Sequence, residues 1–147
     1  MLLLAITTAI AGVFFGAALY VNLVEHPARV SCGAAAAVQE FQPSYRRGAI
    51  MQGSLSAAGC VLGLMAAWQL SDVHIAMNAV LLGLPIPVTL LFIAPTNRQL
   101  LSPGLDPASS QASELLARWN RRHWIRTTLG GLAFVLFIFR LVVHSAT

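Results

Sequence analysis

Long apolar runs alternate with polar connections along this chain. Four runs, Leu2 to Val24, Gly48 to about Leu70, Ile75 to Ala94 and Thr127 to about Val143, are each long enough to cross a bilayer, which takes roughly 20 apolar residues. The connections are unequal. Residues 25–47 and 95–126 are long, whereas Ser71-Asp72-Val73-His74 is a tight turn. The pattern predicts an all-α fold: an integral membrane, antiparallel four-transmembrane-helix bundle forming one domain over residues 1–147. The first run has no basic residues ahead of it and no convincing cleavage site after it, so it is expected to be a retained span rather than a secretory signal.

Within the connections, Pro27 is expected to stop the first helix, and SCGAAAAVQEF to form a short helix at the membrane interface. Pro103-Gly-Leu-Asp-Pro107 predicts a turn, with Asp106 capping the last helix and Pro107 at its first position. That helix then begins well before the bilayer. Pro85 and Pro87 are expected to kink or loosen the third span, and Ala94-Pro95 to end it. Gly12-xxx-Gly16 and Gly59-xxx-Gly63 permit close helix approach, within one bundle or between the subunits of a homo-oligomer.

Helical spacing then sorts the polar groups. On the last helix Trp119, His123, Arg126 and Gly130 share one face, while Arg118, Arg121 and Arg122 point elsewhere and suit headgroup anchoring. On the first, Thr8, Gly12, Phe15, Leu19, Asn22 and His26 align; on the second, Tyr45, Ala49, Gln52, Ser56, Gly59 and Gly63 do so. If these stripes converge, Asn22, His26, Tyr45, Gln52, Asn97, Trp119, His123 and Arg126 enclose a polar chamber at one end of the bundle. Polar side chains at membrane depth are costly enough to mark function by default. The bland alternative is that Asn22 and Gln52 merely bond across helices, and that Glu25 pairs with Arg29 or Arg46 to hold its connection. Trp68 and Trp124 fit an interfacial belt, and Asp72, His74 and His144 are taken as structural residues without a companion cluster.

Composition strengthens the membrane assignment. Of 147 residues 57% are hydrophobic and only 10% charged, with mean hydropathy +0.73, too little charge for a water-facing surface. All nine basic residues are arginines, and all but Arg140 fall at the end carrying the long connections. The positive-inside tendency places that end in the cytoplasm and both termini outside, across the cytoplasmic membrane if the cell is bacterial. The net charge of +4 is thereby explained by topology; membrane lipids are expected partners and nucleic acid is not. Cys32 lies just past the first span, whereas Cys60 sits roughly 18 Å of helix rise into the second from that membrane edge, so no disulfide is expected. Hydrolase, kinase and nucleotide-dependent activities find no motif.

His26 and His123 either are simply structural or leave two chemistries open. They can ligate a transition metal or a haem, with Glu25 as a third metal ligand, or they can move protons in a metal-free site. Neither HxxxH nor ExxH occurs to decide between these.

The segments AGVFFGAALYVNLVEHPAR, PSYRRGAIMQ, APTNRQLLSP and ELLARWNRRHWIRT, in this order, cover nearly the whole chain and resemble the anthrone oxygenase-like family of small four-span membrane proteins. The resemblance implies a monooxygenase that uses O2 to convert an anthrone, or a related hydrophobic aromatic small molecule, to a quinone, with no cofactor beyond O2. It implies His123 or His26 as base, Arg126 and Asn97 as oxyanion partners, and Trp119 with Tyr45 as the surface that meets the rings; Asn22 and Gln52 complete the expected substrate contacts. Two other functions compete with it: a non-catalytic bundle that binds a lipid, quinone or partner membrane protein, and a metal- or haem-binding redox protein.

Overall fold

A computed structural model describes residues 1–146 as four helices: α1 (Leu2–Ser31), α2 (Ala34–Leu70), α3 (Val73–Leu100) and α4 (Ser110–Ser145). Each is long and apolar enough to cross a membrane, and the described residues contain no strand. Their outer surfaces are apolar like their interior: Trp68, Leu91, Val135 and Phe139 all face outward, as a lipid-facing surface requires.

The helices run beyond the apolar runs because most of the first long connection is itself helical. Pro27 does not end α1. Val21–Glu25 widens into a π turn in which the His26 N–H reaches Val21 O, and Pro27, which has no N–H, then lies in the first turn of a fresh α segment that runs to Ser31. The chain reverses at Cys32-Gly33, where glycine supplies φ +91°. The alanine-rich stretch is not a separate interfacial helix but the first turns of α2, which continues through Pro43 to Leu70.

α3 repeats the device. After Val73–Gly83 and Pro85–Val88, a π turn spans Thr89–Ile93 and the Ala94 N–H bonds Thr89 O, so the helix passes Pro95 and reaches Leu100 instead of stopping at Ala94. Arg122 of α4 stabilises this break by donating from Nη1 to Phe92 O and to Thr96 Oγ1, both at 2.7 Å. It therefore ties two helices together, where headgroup anchoring was expected. The cap of α4 is Ser109, whose Oγ accepts the Ala112 N–H at 3.2 Å. Asp106, expected in that role, accepts the Ala108 N–H in the preceding turn instead.

Small residues set the packing. A Cβ added at Gly63 would meet Thr7 of α1, Ala79 of α3 and Phe137 of α4; at Gly59 it would meet Ile10 and Leu82; at Gly130, Phe14. Residue numbers climb along α1 and α3 as they fall along α2 and α4, so neighbouring helices run in opposite directions. Gly12 packs on Phe134 of the same chain, whereas Gly16 meets nothing within 4 Å. Leu4, Phe14, Ile75, Leu82 and Phe137 form the central core, and Phe41, Ile93, Leu100, Leu115, Leu116 and Trp119 form a second one at the arginine-rich end.

At the opposite end Asp72 gathers the companions that the sequence did not disclose. Its carboxylate caps α3 through the His74 N–H at 2.9 Å, and it pairs with Arg140 and, at 2.8 Å, with His144 Nε2. These partners are 68 and 72 residues away, too far for spacing to connect them. Burial works to raise the Asp72 carboxyl, but the hydrogen bonds from His144, Arg140 and the His74 amide outweigh it and hold it well below the usual carboxylate range.

Candidate functional site

Both π turns contribute to the wall of one cavity of about 490 Å³ toward the arginine-rich end, through Val21 and Glu25 of α1 and Thr89 and Ile93 of α3. Such bulges in helices recur at functional sites. α2 contributes Tyr45 and Gln52 to the lining, α3 Asn97, and α4 Trp119, His123 and Arg126, so six of the eight residues expected to enclose a chamber do line one. Phe41, Thr89 and Ile93 belong to the remaining wall, with α1 contributing Ala17, Tyr20, Val21, Glu25 and Arg29.

Arg126 is the central charge. Its side chain is buried, Nη2 donates to Gln52 Oε1 at 2.7 Å, and the guanidinium stands 5.7 Å from the Phe14 ring. Among the described residues no carboxylate pairs with it. An arginine remains charged in proteins, and a buried charge with only a neutral amide for company is costly unless an anion completes it. Asn97, in the same cavity wall, is 2% exposed and both Oδ1 and Nδ2 lack a hydrogen-bond partner; the indole N–H of Trp119 is buried and unpartnered too. Arg126, Asn97 and Trp119 all belong to the wall of the same cavity.

His123 is prepared by α1. Asn22 Oδ1 accepts from Thr127 Oγ1 at 2.6 Å and meets His123 Nδ1 at 2.8 Å, while Asn22 Nδ2 donates to Asn120 Oδ1 at 2.7 Å. The amide is oriented by its partners, so Nδ1 carries the hydrogen and Nε2 is left as the basic nitrogen of the ring. Asn22 does not line the cavity; it stands behind His123. Where a substrate contact was expected, Asn22 holds His123, Thr127 and Asn120 of α4.

His26 also stays outside the cavity. Its ring stacks on Trp119 with centroids 5.5 Å apart, and His123 stacks on the same indole at 4.8 Å. It borders a smaller recess with Leu116 and Asn120. Glu25 is engaged by Arg29, and among the described residues no three His, Cys, Asp or Glu side chains gather as a metal site. The set Glu25, His26 and His123 is thus not assembled as ligands, because ring stacking on Trp119 and the Arg29 ion pair direct those groups elsewhere.

Arg29 is the residue whose importance the sequence hid. Though at the end of α1, its side chain is 5% exposed; it pairs with Glu25, stands 2.7 Å from Glu40 Oε2 and donates to Ser44 Oγ at 3.1 Å. Its guanidinium lies about 6 Å from both the Phe41 and Trp119 rings, 5.9 and 6.0 Å to their centroids. The i,i+4 spacing of Glu25 and Arg29 announces part of this arrangement; the partners on α2 required the fold.

These features define a multi-span helical membrane protein with a cationic, aromatic-walled cavity buried at one end of its bundle. The chain belongs to the anthrone oxygenase family, whose sequence profile matches residues 41–136. The matched segment contains every cavity residue named above on α2, α3 and α4 except Glu40, and leaves out α1 with Asn22, His26 and Arg29. No curated protein and no solved structure matches the chain at a significant level.

Proposed function

We propose that the protein is an O2-dependent monooxygenase that oxidises the acidic methylene of a hydrophobic, anthrone-like phenolic substrate to a ketone. The observation that carries this is Arg126, a buried guanidinium held by neutral Gln52 in the wall of a cavity that Asn97, whose amide has no hydrogen-bond partner, also lines. It is a cradle for an oxyanion that forms only when the substrate loses a proton.

In this mechanism His123 Nε2 removes one methylene proton, and the negative charge moves onto the substrate oxygen facing Arg126 and Asn97. Phe41, Tyr45 and Trp119 bound the rings. The anion gives one electron to O2, the resulting radical and superoxide join in a C–O bond, and the peroxide takes back the proton from His123. Loss of the second C–H proton breaks the O–O bond, leaving the ketone and water. In sum, one methylene and one O2 give one carbonyl and one water, so atoms and electrons balance with the substrate as the only reductant.

Oxygen consumption by proteoliposomes given anthrone, corrected for spontaneous oxidation in empty liposomes, tests the proposal. The expected result is one O2 consumed per quinone formed, with one atom of ¹⁸O2 in the product and one in water, and a rate that collapses in Arg126→Ala. Anthrone binding, read by tryptophan fluorescence, without acceleration of its oxidation would overturn it in favour of a non-catalytic binding bundle.

A further inference from the structure

The residues of the cavity wall that are themselves exposed all belong to α1 and α2. They fall into two groups. Tyr20 and Met51, 56% and 48% exposed, lie at the level of the apolar spans, whereas Glu40 and Arg47 lie at the arginine-rich end. The wall residues contributed by α3 and α4, namely Thr89, Ile93, Asn97, Trp119, His123 and Arg126, are buried or partly buried. The mouth is therefore a slot between α1 and α2.

One end of that slot is tied shut. Among the described residues, the side-chain hydrogen bonds and ion pairs that pass from α1 to α2 are those of Arg29 with Ser44 and Glu40. They close the polar end, roughly 14 Å of helix rise from Tyr20. At the other end Ala17 and Tyr20 share the cavity wall with Gly48 and Met51 with no polar tie, and a Cβ at Gly48 would meet nothing within 4 Å. The neighbouring surface is apolar, with Ile50 65% and Leu23 57% exposed.

We infer that the ligand enters sideways from the bilayer, between Ala17 and Tyr20 of α1 and Gly48 and Met51 of α2, while the Arg29–Glu40–Ser44 clasp keeps water out. The route defines the ligand's chemistry. A permanent anion does not dissolve in lipid, yet uncompensated Arg126 selects one. A neutral, membrane-dissolved weak acid that ionises only inside the cavity meets both conditions. This choice of ligand class rests on the proposed function; the route itself does not.

Fluorescence quenching in nanodiscs tests the route without reading turnover. Trp68→Phe and Trp124→Phe leave Trp119 as the only tryptophan, and two contact quenchers report access: acrylamide from water and bromobenzene from the bilayer. Each is normalised to a free indole in the same phase. Bromobenzene is expected to quench Trp119 at least threefold more effectively than acrylamide. Gly48→Leu, which grows into open space, should at least halve the bromobenzene effect, and Met51→Ala, which widens the slot, should increase it. Glu40→Ala should raise acrylamide quenching at least twofold. Equal quenching by the two agents in the parent, or bromobenzene quenching indifferent to both mouth variants, would overturn the lateral route. Failure to oxidise anthrone, with quenching as expected, would remove only the oxygenase.

Discussion

Arg126 Nη2 donates to Gln52 Oε1 at 2.7 Å, and this neutral amide is the guanidinium's hydrogen-bond partner within the protein. The pairing holds the charge in place without cancelling it. Gln52→Glu would supply the missing carboxylate internally, so it is expected to keep or improve stability while lowering anthrone turnover roughly 100-fold, on the scale of losing an oxyanion donor. Arg126→Ala should lose activity to a similar degree. Full activity in Gln52→Glu would show that the cavity needs no net positive charge.

Asn22 acts through His123. In ¹⁵N-histidine spectra the wild-type ring should appear as the tautomer protonated at Nδ1, and Asn22→Leu should yield a mixture of tautomers. Turnover is expected to fall about 10- to 100-fold, a part of the roughly 10²- to 10⁴-fold that general acid–base catalysis contributes, with KM little changed because Asn22 does not line the cavity. A large rise in KM at unchanged kcat would instead make Asn22 a substrate contact.

The cluster at the opposite end predicts a pH response. The Asp72 carboxyl is held below its ordinary value in the folded chain, so its contribution is complete above the ordinary carboxylate value, about 3.9, and is lost as pH falls from there through the folded value. Asp72→Asn should cost on the order of 3 kcal/mol at pH 7, as breaking a buried pair does. Its penalty relative to wild type should shrink below about pH 4. Detergent unfolding curves from pH 7 to 3 measure this, and a penalty that grows in acid would contradict it.

Glycine substitutions should separate packing positions from open ones. A Cβ at Gly130 would lie 2.5 Å from Phe14 Cε1, and one at Gly63 2.7 Å from the Ala79 Cβ. Each alanine variant is expected to lose about 1–3 kcal/mol by overpacking. Gly16→Ala should be neutral or slightly stabilising, since nothing lies within 4 Å and alanine favours helix. Thermal midpoints in one detergent decide the ranking.

Arg122 should differ from its neighbours. Arg122→Ala removes both hydrogen bonds to the α3 π turn, at a cost of about 1.5–3 kcal/mol for a bond from a charged donor. Arg118→Ala and Arg121→Ala, exposed on the same helix, should leave the thermal midpoint within error. Equal effects from all three would return Arg122 to a headgroup role.

The sequence by itself determined the number of spans and the faces that pack. Apolar run lengths and 3.6-residue periodicity are local quantities, and they place Tyr45, Gln52, Trp119, His123 and Arg126 on interior stripes before any contact is known. They could not show that Pro27 and Pro95 would each be accommodated by a π turn. That outcome depends on partners such as Arg122, which satisfies Phe92 O from another helix. Nor could they separate Asn22 and His26 from the cavity they were expected to line. Only the tertiary structure decided that Asn22 would serve His123, that His26 would stack on Trp119, and that Arg29 would fasten α1 to α2. Each of these depends on the axial rotation of one helix against another, a quantity set by packing across the whole bundle and carried by no single stretch of chain.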